Sequence, residues 1–287
     1  MTDAATTRHT AFVLGGGGVL GAVEVGMLRA LLEAGITPDL IVGTSIGALN
    51  GALLATEPSL GVIERLEGLW RAAASTREVY GDRPVTQMRR ALRSRTHVFS
   101  PQPLRERLEQ ELGGARFEDL PVHFECCASS IERAAEHWFT RGPVAPAVMA
   151  SAAVPGFFPP AQIDGEHFLD GGIVNSVPVG RAVELGAQDV YVLQVGRVER
   201  PLSVPEGPIE VARVSFEIAR RHRFHREMAR MPEGVRTWVL PSGAGSSRDD
   251  SFTAFRSFDA VERRITASYA ASRDFLAGRH LAVDDHG

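Results

Sequence analysis

Apolar residues fall in short runs broken by glycine, and the first runs set the frame of the chain. Ala11-Phe12-Val13-Leu14 reads as a strand that ends in Gly15-Gly16-Gly17-Gly18. A helix is expected over about 19–34, with Gly35 as its stop. Leu40-Ile41-Val42 is a second strand, followed by Gly43-Thr44-Ser45-Ile46-Gly47 and a small helix-forming run over 48–55. This β-α-β-α opening predicts parallel strands.

Later elements follow the same punctuation. A surface helix is expected over 59–71, with Val62, Leu66 and Leu69 on one face and Trp70 at its end. Residues 77–95 are arginine-rich without clear periodicity and read as a solvated face, with a mobile basic segment near the site as the alternative. A short helix over 103–112 closes on Gly113-Gly114, and runs 122–129 and 136–140 read as paired strands around Ile131-Glu132-Arg133-Ala134. A small helix over 147–153 breaks at Val154-Pro155-Gly156-Phe157-Phe158-Pro159-Pro160, an aromatic, proline-rich loop suited to walling an acyl pocket or to a rigid turn. A helix over 178–185 stops at Gly186, and 189–195 is a strong parallel strand. A basic amphipathic helix covers 208–230, a last strand 236–240, a Gly/Ser/Asp loop 241–251 and a terminal helix 255–276. No repeat or linker divides the chain, so one domain is expected over 11–278, with flexible tails at 1–10 and 279–287.

Composition narrows the function classes. With 31 Lys and Arg against 35 Asp and Glu, the net charge of −4 offers no basic field for nucleic acid. No apolar run reaches the length of a bilayer span, and residues 1–10 lack a signal-peptide core. Cys126 and Cys127 are adjacent in an expected strand and point to opposite faces, which excludes a structural disulfide or a metal site there. Buried thiols in a reducing cytoplasm are the expectation.

Two stretches carry chemistry. Gly43-Thr44-Ser45-Ile46-Gly47 is Gly-x-Ser-x-Gly between a strand and a helix, the pattern of a nucleophile elbow. The flanking glycines let two backbones approach, and the serine hydroxyl stands at a helix N-terminus that favours developing negative charge. Gly16, Gly18 and Gly21 also fit Gly-x-Gly-x-x-Gly, with Asp39 near the distance of a ribose-binding carboxylate, so an NAD-type dinucleotide site competes. Against it, Asp39 precedes the second strand, whereas the ribose acid sits at that strand's end. The alternative places Gly16, Gly17 and Gly18 N–H groups around an oxyanion beside Ser45. A silent protein that binds acyl chains or a partner is a further alternative.

Ser45 needs a base. His222 and His225 lie inside the basic helix and His280 near the chain end, so none follows a strand directly. Asp170, in the turn Asp170-Gly171-Gly172, is the simpler candidate, although Asp-Gly is also an ordinary turn signal.

Taken together and in order, the loop Gly16-Gly17-Gly18 with Gly21, the elbow Gly43 to Gly47 around Ser45, and Asp170-Gly171-Gly172 resemble the three motifs of the patatin-like phospholipase family. The stretch Ala150-Ser151-Ala152-Ala153-Val154-Pro155-Gly156-Phe157-Phe158-Pro159-Pro160, between elbow and aspartate, resembles a further family stretch. The resemblance implies a three-layer α/β/α fold with a mostly parallel sheet, a Ser45–Asp170 dyad, an oxyanion hole from Gly16, Gly17 and Gly18, lipid ester hydrolysis and no cofactor. Many members carry a basic residue where this chain has Leu20, which makes neutral esters or lysolipids as suitable as intact phospholipids. Arginine density in the basic helix reads first as a solvated face, with a partner helix or salt-sensitive contact with an anionic membrane surface through Arg220, Arg221 and Arg223 as the alternatives.

Overall fold

The computed structural model describes residues 8–75, 96–195, 201–243 and 258–284. The arginine-rich stretch 77–95 and most of the 241–251 loop lie outside the described residues.

Eight strands among the described residues form one sheet: β1 (Thr10–Leu14), β2 (Leu40–Thr44), β3 (His123–Ser130), β4 (Ala135–Phe139), β5 (Ala161–Ile163), β6 (Glu166–Asp170), β7 (Asp189–Leu193) and β8 (Arg236–Val239). The order is β5-β6-β3-β2-β1-β7-β8, with β4 also paired to β3. Pairs among β3, β2, β1, β7 and β8 are parallel, while β4, β5 and β6 add antiparallel pairs on the β3 side.

Helices cover both faces, and period-2 alternation along the strands feeds two separate cores. Phe12, Leu14, Ile41, Phe124, Tyr191 and Leu193 face the larger one. Against it pack α1 (Ala22–Glu33), α2 (Ile46–Thr56), α3 (Gly61–Ser75), α4 (Gln102–Leu112), α5 (Val144–Ser151) and α8 (Phe258–Asp284). Ala11, Val13, Leu40, Val42, Val190 and Val192 face the smaller core, which α6 (Val179–Glu184) and α7 (Pro208–Met228) close. Strands buried on both faces read as continuous apolar runs, and this one fact explains the runs at 11–14 and 40–42. The α/β, three-layer, mostly parallel architecture is therefore as expected.

Boundaries differ in three informative places. The chain after the glycine loop begins with a 3-10 turn at Gly18–Gly21 before α1 starts at Ala22. The expected tails are shorter: Arg8 bonds Asp189, the Gln188 carbonyl and the Gly234 carbonyl, and the His9 carbonyl accepts from Gln188 and Asp189. At the other end α8 runs on to Asp284. Both cysteines are buried free thiols, as expected, and burial pushes each thiol's pKa up.

Candidate active site

The topology brings two loops to one point on the edge of β3. Gly43 and Thr44 of β2 pair with Cys126 and Cys127, and Asp170 of β6 pairs with Ala128. Strand β4 already occupies the other edge of β3 over these residues. Strands β2 and β6 therefore share an edge and run toward each other. Ser45 follows the end of one and Asp170 ends the other.

Their side chains meet. The Ser45 Oγ–H donates to Asp170 Oδ2 at 2.5 Å, and both residues are buried, at 5% and 4% exposure. Ser45 has φ 56° and ψ −120°, a backbone that a non-glycine residue holds at a cost of about 1–3 kcal/mol. Surrounding bonds impose it. The Ser45 N–H donates to Ser151 Oγ at 2.8 Å, and the Ser151 hydroxyl donates to the Cys127 carbonyl at 2.6 Å. Glycine at 47 is required because a Cβ there would overlap the Leu14 carbonyl at the end of the neighbouring strand.

Asp170 is held on three sides. Its Oδ1 accepts from the Gly172 N–H at 2.7 Å, its carbonyl accepts from Ser129 Oγ at 2.8 Å, and its own N–H donates to the Ala153 carbonyl. Burial pushes its pKa up from 3.8 to about 6; the bonds from Ser45 and Gly172 oppose that rise and are outweighed. Among the described residues no histidine hydrogen-bonds to Ser45 or Asp170.

The glycine loop lies against the serine: a Cβ on Gly16 would sit 3.4 Å from Ser45 Cβ. One expectation needs correction here. The Gly16 N–H donates to the Ser176 carbonyl at 2.8 Å and is not free to receive an oxyanion. The Gly17 and Gly18 N–H groups have no such partner among the described residues. Beneath the loop, Glu24 is fully buried and its pKa is raised well above the usual carboxylate range by desolvation. Asn50 Nδ2 donates to Glu24 Oε2 and to the Gly21 carbonyl, which ties the end of the loop to α2.

Asp39 lies at the far end of the sheet. Its Oδ2 accepts from the Thr10 N–H where β1 begins, remote from Gly16–Gly18 at the strands' other ends. The dinucleotide alternative thus loses its ribose carboxylate.

A family model described as "Patatin-like phospholipase" matches residues 12–183, which contain the glycine loop, Ser45 and Asp170. The chain belongs to the patatin-like phospholipase family. Its curated patatin-domain relatives include "Lysophospholipase nte1" of Aspergillus terreus, 32% identical over 70% of this chain and 12% of that protein. "Patatin-like phospholipase domain-containing protein ZK370.4" of Caenorhabditis elegans is 34% identical over 68% of this chain and 14% of that protein. "Neuropathy target esterase sws" of Drosophila melanogaster is 31% identical over 67% of this chain and 13% of that protein. The chain thus spans only 12–14% of the length of these relatives. Among solved structures, VipD from Legionella pneumophila aligns with a TM-score of 0.47 and 14% identity, covering 94% of this chain and 67% of that one.

Several residues that complete the candidate site have no role assigned to them from the sequence. Ser151, Ser129 and Ser176 are small polar residues in apolar surroundings, and only their partners reveal them. Thr44, inside the elbow, donates its hydroxyl to the Asn175 carbonyl at 2.8 Å. The basic helix, α7, also departs from expectation. Arg220 is 7% exposed and turned onto the Gly16 carbonyl, and Arg223 bonds the Val174 carbonyl, Glu136 and Glu227. Arg221 shares Glu217 with Arg220. Of these three arginines only Arg220 is buried; Arg221 and Arg223 are half-buried, Arg221 paired with Glu217 and Arg223 with Glu136 and Glu227. Among the described residues no helix is long and apolar enough to cross a membrane.

Proposed function

We propose that the chain is a serine-dependent lipid acyl hydrolase that cleaves carboxylic esters of phospholipids, lysophospholipids or neutral acyl lipids. The observation that carries this reading is the buried 2.5 Å hydrogen bond from Ser45 Oγ to Asp170 Oδ2, beside a glycine loop whose Gly17 and Gly18 N–H groups have no backbone partner among the described residues. Asp170, ionised, takes the hydroxyl proton as Oγ attacks the ester carbonyl carbon. The carbonyl oxygen becomes an oxyanion that the Gly17 and Gly18 N–H groups stabilise. The carbon–oxygen bond to the alcohol breaks, and protonated Asp170 returns the proton to the leaving alkoxide. Water then attacks the acyl-Ser45 ester, with Asp170 accepting its proton; as the bond to Ser45 Oγ breaks, Asp170 returns that proton to Oγ, and the fatty acid leaves with Ser45 and Asp170 restored.

The helix N-terminus behind Ser45 supports negative charge at the same point. Contact with a lipid surface falls to exposed apolar side chains around the Asp170 turn, Ile173 and Phe216, and to Phe157 in the proline-rich loop. Arg220 and Arg223 are spent elsewhere. The test is covalent labelling. A fluorophosphonate should add one adduct, mapped to Ser45 by peptide mass spectrometry, and none to Ser45→Ala. Folded wild-type protein that stays unlabelled, or that labels elsewhere, rules the reading out.

A further inference from the structure

Helix α7 lies beyond residue 183, where the family match stops, yet it touches both loops of the site. Phe216, Arg220 and Arg223 are spaced i, i+4 and i+7, so they share one face of the helix. Phe216 Cζ lies 3.3 Å from where a Cβ on Gly172 would be, directly over the Asp170 turn. Arg223 Nη1 donates to the Val174 carbonyl at 2.8 Å, two residues after that turn. Arg220 Nη1 donates to the Gly16 carbonyl at 3.4 Å.

The Gly16 carbonyl and the Gly17 N–H belong to one planar peptide group. A cation at the carbonyl end fixes that plane and draws electron density from the N–H end, which makes the N–H a better donor. Burial of Arg220 is costly as well: its Nε is buried without a partner among the described residues, and Glu217 balances the guanidinium only at Nη2. The loop itself carries no cation, since Leu20 occupies its last turn.

We propose that α7 is a clasp over the site and that Arg220 is a positioning residue, orienting and polarising the Gly16–Gly17 peptide so that the Gly17 N–H meets the oxyanion. This rests on the reading of the glycine loop as the oxyanion hole. Because the oxyanion exists only in the transition state, Arg220 acts on kcat and not on substrate affinity.

The experiment compares the full chain with Arg220→Met, Arg220→Gln and Arg220→Lys on p-nitrophenyl butyrate, with urea unfolding of each. Arg220→Met should lose about tenfold or more in kcat, less than removal of an oxyanion donor itself, with KM unchanged. Arg220→Lys should recover part of the loss. Wild-type kcat in Arg220→Met, or a loss confined to KM, overturns the proposal. If Arg220→Met does not fold, Arg220→Gln and Arg220→Lys decide it: equal kcat in the two, at equal stability, overturns it. Ser45→Ala separates the two levels of inference. If Ser45→Ala retains turnover, the hydrolase reading itself falls; if it is inactive while Arg220→Met is fully active, only the clasp falls.

Discussion

Asp170→Asn should abolish turnover and, at neutral pH, make the protein more stable. The carboxylate sits 4% exposed, with burial the dominant influence on its pKa. Its pKa moves from 3.8 to about 6 on folding. Between those values the unfolded chain gives up the proton while the folded chain keeps it. The folded state binds more protons there, so stability falls as pH rises from about 4 to about 6 and stays reduced above that. At about 1.4 kcal/mol per pH unit, the full displacement sets an upper bound of about 3 kcal/mol. Asparagine removes the charge and keeps an oxygen for the Gly172 N–H. Its amide donates where the carboxylate accepted from Ser45, which deprives Ser45 of its base. Urea unfolding of wild type and Asp170→Asn at pH 4 and at pH 7.5 checks the linkage, with hydrolysis of a short-chain ester measured in parallel. The gain should approach the bound at pH 7.5 and shrink to about 0.5 kcal/mol near pH 4. An Asp170→Asn protein less stable than wild type at pH 7.5, or equally stabilised at both values, would refute desolvation as the cause. Wild-type turnover in that variant would remove Asp170 from the chemistry. The same raised pKa puts the acid limb of activity near pH 6, inside the histidine range, so a pH profile alone does not distinguish a dyad from a triad.

Replacing the candidate histidines does distinguish them: His222→Gln, His225→Gln and His280→Gln should each keep most of the turnover, and collapse in any folded one would install a triad. Ser151→Ala strands the buried Ser45 N–H and the Cys127 carbonyl, so urea unfolding should show a loss of about 1–3 kcal/mol together with a lower kcat; unchanged kcat would mean the elbow holds its shape without that bond. Gly17→Ala places a Cβ onto Val195 Cγ2 and should displace the loop and cut turnover by about two orders of magnitude. Val195→Gly in the same chain should restore part of it, and a double variant no better than Gly17→Ala would show that the collision is not the cause.

Asp170 and Ser45 illustrate how far local pattern reaches. A strand running into Gly-x-Ser-x-Gly and then into small helix formers leaves few backbone solutions, so the elbow and the helix behind it follow locally from the pattern, whereas the positive φ of Ser45 is held in place by the distant Ser151 hydroxyl. The Asp-Gly-Gly turn is equally local, and its carboxylate caps its own Gly172 N–H. Continuous apolar runs report burial on both faces, which is why the layered α/β architecture was legible before any contact was known. Motif order then pointed to Ser45, Asp170 and the glycine loop.

Partnerships between distant residues were not legible, because hydrogen-bond capacity is shared out only when the chain closes. The edge of β3 is where residues 125 positions apart come into contact. The Gly16 N–H looks identical in sequence to that of Gly17, yet the Ser176 carbonyl consumes it. Arginine density on α7 suggested a solvated or lipid-facing surface, and packing turned Arg220 and Arg223 onto the site loops. The pKa of Asp170 likewise belongs to no motif. It depends on how much water the surrounding layers exclude, and sequence pattern records which side chains prefer burial, not which charge ends up beneath them.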